Sequence, residues 1–288
     1  MRVANKTIYD TVTYNLGSCI QEMNKANEIV SSGKRINNLS DDPVGLTQAL
    51  EIKSAISNLE QMQRNISRGN TWLASSESAL THVQDIMSDT KTLCIQMANA
   101  TIDPAQRLSA AGTVQNLLDE IISLANTNIA GSYIFSGSKT DTTPFNDNGT
   151  YNGNSNAFTV KIGKDATIEV GSDGSVLFGN IFSTMADLKT SLETDDEGGI
   201  QDAMSELDGH FDDISAKISD VGSKMNRMEV KEKIFEDIIF ANTDRLSKIE
   251  DADMAEAIME LKSRELAYQA ALSSSAKLMT LTLMDYME

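Results

Sequence analysis

The side chains suited to chemistry are few and far apart. His82 and His210 are the only histidines, Cys19 and Cys94 the only cysteines, and the longest acidic run is Asp195, Asp196, Glu197, just ahead of Gly198 and Gly199. A metal needs His, Cys or carboxylate ligands at short fixed spacings, and proton transfer needs an acid and a base that converge. Neither pattern surrounds the two histidines, which read as surface or interface residues of helical stretches. The cysteines fall at apolar positions of helical patterns and read as small buried hydrophobes. The acidic run lacks the spaced ligands of an EF-hand and reads as a solvated loop. The expectation is no enzyme, no metal and no cofactor: a chain whose work is done by surfaces.

Those surfaces must be carried by long helices. Of 288 residues 40% are hydrophobic but only 5% aromatic, which favours an elongated helical molecule over one aromatic-rich globule. Val12, Leu16, Cys19, Met23, Ala26 and Val30 recur with gaps of four and three, the seam of a coiled coil. A second series runs from Ile52 through Leu59, Gln63, Ile66, Asn70, Leu73, Leu80, Met87 and Cys94 to Met97. Asp103, Pro104 and Gln106 then read as an N-cap, a first-turn proline and a capping-box partner, opening a third helix with Ala111, Val114, Leu118, Ile121 and Ala125 on its seam. From Gly131 to about Gly179 the chain turns to Gly, Asn, Ser and Thr, with the short stretches SYIFSG, AFTVKIG, ATIEVG and SVLFG as strands and Asn148-Gly149 and Asn152-Gly153 as hairpin turns. Helical pattern returns near Ile181, with a strict seam from Leu207 to Ile249. Asp253 and Glu256 announce a last helix whose seam is Met254, Ile258, Leu261, Glu265, Tyr268, Leu272, Ser275 and Met279.

The fold class expected is mainly α: an elongated rod of long coiled-coil-like helices from both chain ends, with a small β insert in the middle. Its segments are an N-terminal arm (1–42), the first part of a helical rod (43–130), a small β domain (131–180), the second part of the rod (181–250) and a C-terminal arm (251–288). A net charge of -18 speaks against nucleic acid and anionic membrane surfaces, which need clustered Lys and Arg. The N-terminus lacks the basic and apolar regions of a secretory signal peptide, and no apolar run reaches the roughly 20 residues that span a bilayer. An isolated two-faced helix is marginal in water, so the arms need partners: each other first, neighbouring copies second. The expectation is that both arms are largely disordered in a monomer and fold on assembly.

The interface candidates follow from these seams: Val12, Leu16, Met23 and Val30 in the first arm, Ile258, Leu261, Leu272 and Met279 in the last, with Lys34 and Arg35 either meeting acidic groups of a neighbour or standing in a solvated loop. Between arm and rod, SSGKRINNLSDDPVG places Gly33, Asp41, Asp42, Pro43 and Gly45 where the chain must bend. Gly33 and Gly45 permit turns, Pro43 drives Asp42 out of the helical region, and Asp41 or Asp42 caps the next helix.

SSGKRINNLSDDPVG, with NISRGNTWLASSESALTHVQDIM, SYIFSG and the C-terminal IEDADMAEAIMELKSRELAYQAAL, resembles the bacterial flagellin superfamily over almost the whole chain. Pro43, the Trp72-Leu73 pair, the short insert and the ending LTLMDYM look more like the branch at the junction of hook and filament than like the filament subunit, which stays as the alternative. The resemblance implies an extracellular structural protein of the flagellum, exported unfolded without a cleaved signal peptide by the type III apparatus and an export chaperone. It further implies self-assembly into a ring or helical layer between hook-associated protein 1 and flagellin, needed for motility. Residues 31–45 would then form the bend between inner and outer helical layers.

Overall fold

The computed structural model describes the backbone of residues 2–163 and 165–287 and the side chains of residues 6, 7, 9–163 and 165–277. The order of elements is α1 (Arg2–Ser32), α2 (Pro43–Met97), α3 (Pro104–Ala125), β1 (Asn128–Ile129), β2 (Ser132–Tyr133), β3 (Thr159–Lys161), β4 (Thr167–Glu169), α4 (Gly174–Glu193), α5 (Glu197–Glu250) and α6 (Met254–Met287). The chain is therefore mainly α, with two small two-stranded sheets, as its pattern leads one to expect. Among the described residues no helix is long and apolar enough to cross a membrane. Two compact units emerge: Met1–Asn58 with Asp237–Glu288, and Leu59–Glu236.

The second unit owes its core to a seven-residue repeat on two helices. Ile66, Leu73, Leu80, Met87 and Cys94 of α2 are each at most 2% exposed, and Leu207, Ile214, Val221, Met228 and Phe235 of α5 at most 7%, so the inward face of each recurs every second turn. The helices run antiparallel: Gln84 Nε2 donates to Ser215 Oγ at 2.6 Å, and Lys91, one heptad further on, pairs with Asp208, one heptad earlier. Gly69 lets α5 come close, for a Cβ there would lie 2.8 Å from Met228 Cε. Two polar interruptions of the α2 seam, Ser76 and Thr90, face inward and are satisfied locally, donating to the carbonyls of Trp72 and Ile86 at 3.0 and 2.8 Å, whereas the buried Asn70 Oδ1 has no partner among the described residues. Burial pushes the Cys94 thiol up to about 11, so it sits in the seam as a small apolar group.

Against this pair lie α3 and α4. Asp103 caps α3 by accepting from Ala105 N at 3.0 Å, and Ala110, Ala111 and Ala125 present a small-residue face that α4 fills with Phe178, Ile181, Phe182 and Met185. The insert closes over them: Phe145 sets its edge against Phe178 and Phe182, with ring centres 6.0 and 5.0 Å apart. Strands β1 and β2 meet through Ala130 and Gly131, both with positive φ (50° and 87°), the mirror-image turn that suits strand twist. Asn148-Gly149 does lie in a tight turn between the bridged pair Phe145 and Tyr151. Strands β3 and β4 pair Val160 with Ile168, and both residues are buried against the α2–α5 seam.

Asn152-Gly153 closes no hairpin, lying past the Phe145–Tyr151 bridge with no strand pairing across it among the described residues, and two further expectations fall short in this unit. SVLFG is no strand: Asp173 accepts from Ser175 N at 2.9 Å, α4 begins at Gly174, and the helical spacing Phe178, Ile181, Phe182, Met185 extends the pattern back past Ile181. The acidic run is a solvated loop only in part: Asp195 and Asp196 are exposed between α4 and α5, while Glu197, Gly198 and Gly199 lie in the first turn of α5. Arg107, 2% exposed, pairs with Asp195 and donates to Glu197 at 2.8 Å and to the carbonyls of Met97 and Asn99 at 3.0 and 3.1 Å. A buried guanidinium is tolerated only when its donors are met in this way. Arg107 therefore ties the loop before α3 to the loop before α5.

Candidate assembly surface

Two features carry the first unit, the bend and the helix pair that flanks it. Helix α1 ends where Gly33 turns left-handed (φ 70°), a position an L side chain enters only with strain. Asp41 then gathers the loop, accepting from the backbone N–H groups of Asn37 and Asn38 at 3.2 and 3.0 Å and pairing with Lys25 at 2.8 Å. The Lys25 ammonium, with those N–H groups, holds the Asp41 carboxyl below the usual carboxylate range. Asp42 caps α2 by accepting from Gly45 N at 2.9 Å, with Pro43 as the first helical residue. Gly45 makes no turn, contrary to expectation. It lies in the first turn of α2, buried, where a Cβ would press into the Asp42 carboxylate and sit 2.8 Å from Ile36 Cδ1. Glycine is needed there for close approach rather than for φ.

The bend is fastened to the far end of the sequence. Glu250, 5% exposed, receives Lys34 at 2.8 Å and Lys53 at 2.7 Å. Its backbone carbonyl accepts from Arg35 N at 2.7 Å, the Arg35 guanidinium donates to the Ile249 carbonyl at 3.0 Å, and Ala252 N donates to the Gly33 carbonyl at 3.0 Å. Burial works to raise the Glu250 pKa, but the two ammonium groups outweigh it and leave the carboxyl below its usual range. Lys34 and Arg35, read from sequence as reaching for a neighbour's acids or standing in a solvated loop, thus find partners within their own chain.

Helices α1 and α6 pair antiparallel, as the Lys34–Asp251 bridge and the Glu22–Arg264 ion pair show. On α1 the face turned to α6 is the expected one: Val12 and Ala26 are buried, and Leu16, Cys19, Met23 and Val30 half-buried. On α6 the phase differs. Ala257 is buried, and Leu261, Arg264, Tyr268, Ala271 and Ser275 are half-buried, whereas Ile258 and Leu272 of the expected seam are 48% and 43% exposed. The small side chains of Ala257 and Ala271 let α1 approach, and the bulkier Ile258 and Leu272 are carried on the adjoining face. The Met279 side chain lies outside the described residues. Tyr9, Tyr14, Met259 and Leu266 add further exposed apolar area, and Tyr9, Leu16, Ile20 and Leu272 border a groove of about 480 Å³ between the two helices. Such surface on a helix pair that already has one seam is the mark of an interaction face.

Of the histidines, His82 is exposed, and His210 is half-buried with Nε2 3.0 Å from Thr184 Oγ1, whose hydroxyl donates to Glu206 at 2.8 Å. That small cluster packs α4 on α5.

Comparison with known proteins agrees with this geometry. The family models of the bacterial flagellin N-terminal and C-terminal helical regions match residues 3–140 and 204–287. The flagellar hook-associated protein 3 of Escherichia coli is 24% identical over 98% of this chain and 98% of its own length. The flagellar filament 30.7 kDa core protein of Treponema maltophilum is 27% identical, over 87% of this chain and 86% of its own. A solved structure of a flagellar hook-associated protein from Vibrio parahaemolyticus superposes with a TM-score of 0.69 at 20% identity, over 73% of this chain and all of that one. Matched at both ends by the flagellin helical regions, with a strand insert between them, the chain belongs to the bacterial flagellin family.

Proposed function

We propose that this protein is a structural component of the flagellum that joins hook to filament, seated between hook-associated protein 1 and flagellin and required for filament assembly and motility. The observation that carries it is the alignment with a hook-associated protein 3 over nearly the full length of both chains. The first unit supplies the means: a helix pair with apolar area left over for neighbours, locked by the bend to the C-terminal turn. In this reading Val12, Leu16, Met23, Val30 and Leu261 hold the arms together, while Ile258, Leu272 and Met279 contact adjacent subunits. The arms complete their order on assembly, after export as an unfolded chain by the type III apparatus with its chaperone, and the protein works outside the cell without catalysis.

Deleting the gene tests this. Finished hooks without filaments by electron microscopy, with flagellin lost to the medium, are expected. Bare hooks with no flagellin anywhere would favour the second reading, a filament subunit, for which the Treponema relative speaks. Normal filaments would overturn both.

A further inference from the structure

A cleft of about 570 Å³ opens in the second unit between α2, the tip of the β1–β2 hairpin and β3. Trp72 lines it, its ring centre 5.2 Å from that of Phe158, which is 37% exposed. The Trp72 Nε1–H is buried with no acceptor. Buried indole N–H groups nearly always find one, so the wall of this cleft carries an unmet donor just beneath its surface. Two cations border the same space: Arg68, one turn before Trp72, and Lys161 of β3. Asn65 Nδ2 donates to the Lys161 carbonyl at 3.2 Å and so fixes the spacing of these two walls. In a chain with 42 acidic residues against 24 basic, a Lys or Arg readily finds a carboxylate, yet neither of these two has one among the described residues. A negative charge for the two cations and an apolar surface to cover Phe158 are together what a ligand would bring to the cleft.

We infer that this cleft binds a small organic carboxylate with a flat or apolar body. The carboxylate lies between Arg68 and Lys161, and the body lies over Phe158. The ligand comes from one of two sources, an aromatic acid or an acidic sugar.

Trp72 is the only tryptophan, so tryptophan fluorescence of the full chain reports on this cleft alone. The titrants are benzoate and glucuronate, with benzamide and glucose as uncharged counterparts and sodium chloride at matched ionic strength. The expected result is a saturable change with at least one carboxylate and none with its neutral partner or with chloride. Benzoate alone identifies an aromatic acid, and glucuronate alone an acidic sugar. Arg68→Gln and Lys161→Gln, both at exposed positions, each weaken binding about tenfold with circular dichroism unchanged. No saturable response to either carboxylate, an equal response to benzamide or chloride, or undiminished affinity in both variants would overturn the proposal.

Discussion

The two units solve the same problem, burying the seams of long helices, to very different degrees. Among the described residues the unit of Leu59–Glu236 holds 34 of the 39 buried apolar side chains, and the unit built from both chain ends only five: Val12, Ala26, Ile36, Ala49 and Ala257. The unit of Leu59–Glu236 is stabilised by its own core. The chain-end unit keeps its order through backbone caps, one buried carboxylate and a narrow helix pair, and leaves Tyr14, Leu50, Phe240 and Leu266 more than half exposed. Stability is thus concentrated where the chain needs no partner, and free apolar surface where the proposed function needs one.

The sharpest way to break this contrast is to damage the self-sufficient unit. Phe178→Ala removes a ring with no exposure, packed against Phe135 and Phe145, and costs about 3–5 kcal/mol by urea denaturation. Arg107→Met leaves Asp195, Glu197 and two carbonyls without their donor. Because both carboxylates are partly solvated, the expected cost is smaller, about 2–3 kcal/mol. In the other unit Gly45→Ala sets a helix-propensity gain of about 1 kcal/mol against overpacking of about 1–3. A net loss is expected, read as faster hydrogen exchange across Asn37–Gly45, and a stabilised variant would mean the Ile36 contact is loose.

Acid acts on the bend more gently. Glu250 and Asp41 have depressed pKa values, so their contribution is present above the unfolded carboxylate pKa, about 4, and is lost as pH falls through the lower folded values. Protection of the Arg35 and Ala252 amides should therefore fall below about pH 4, and Glu250→Gln should reproduce the loss at neutral pH. The smallest effect on the free chain belongs to Leu272→Asp. At an exposed site it shifts stability by less than about 0.5 kcal/mol, yet it should block incorporation into the flagellum while export continues. Normal filaments from that variant would remove Leu272 from the assembly face.

What was legible in the sequence divides along the same line. The strict sevens of Ile66 to Cys94 and Leu207 to Phe235 specify one buried face, and that face is the one observed. Asp103 and Pro104 mark the start of α3 because capping is local chemistry. Helix α6 carries apolar residues on two adjoining faces, so periodicity alone gives it no unique phase, and the small alanines rather than the large side chains decided which face meets α1. Nothing in the sequence singles out Arg107, because its partners Asp195 and Glu197 lie 88 and 90 positions away. Gly45 reads as a turn because the side chain it must clear, Ile36, belongs to the preceding loop.

The clasp on Glu250 also sets an order of events. The Arg35–Ile249 bond that accompanies it closes a span of 214 residues, whereas every partner in the second unit lies between positions 59 and 236. Long loops close late and slowly. A chain that emerges from one end can finish its middle first and must wait for its last residues before the bend shuts. The unit proposed to meet other subunits is then the last to mature, when both of its halves have arrived.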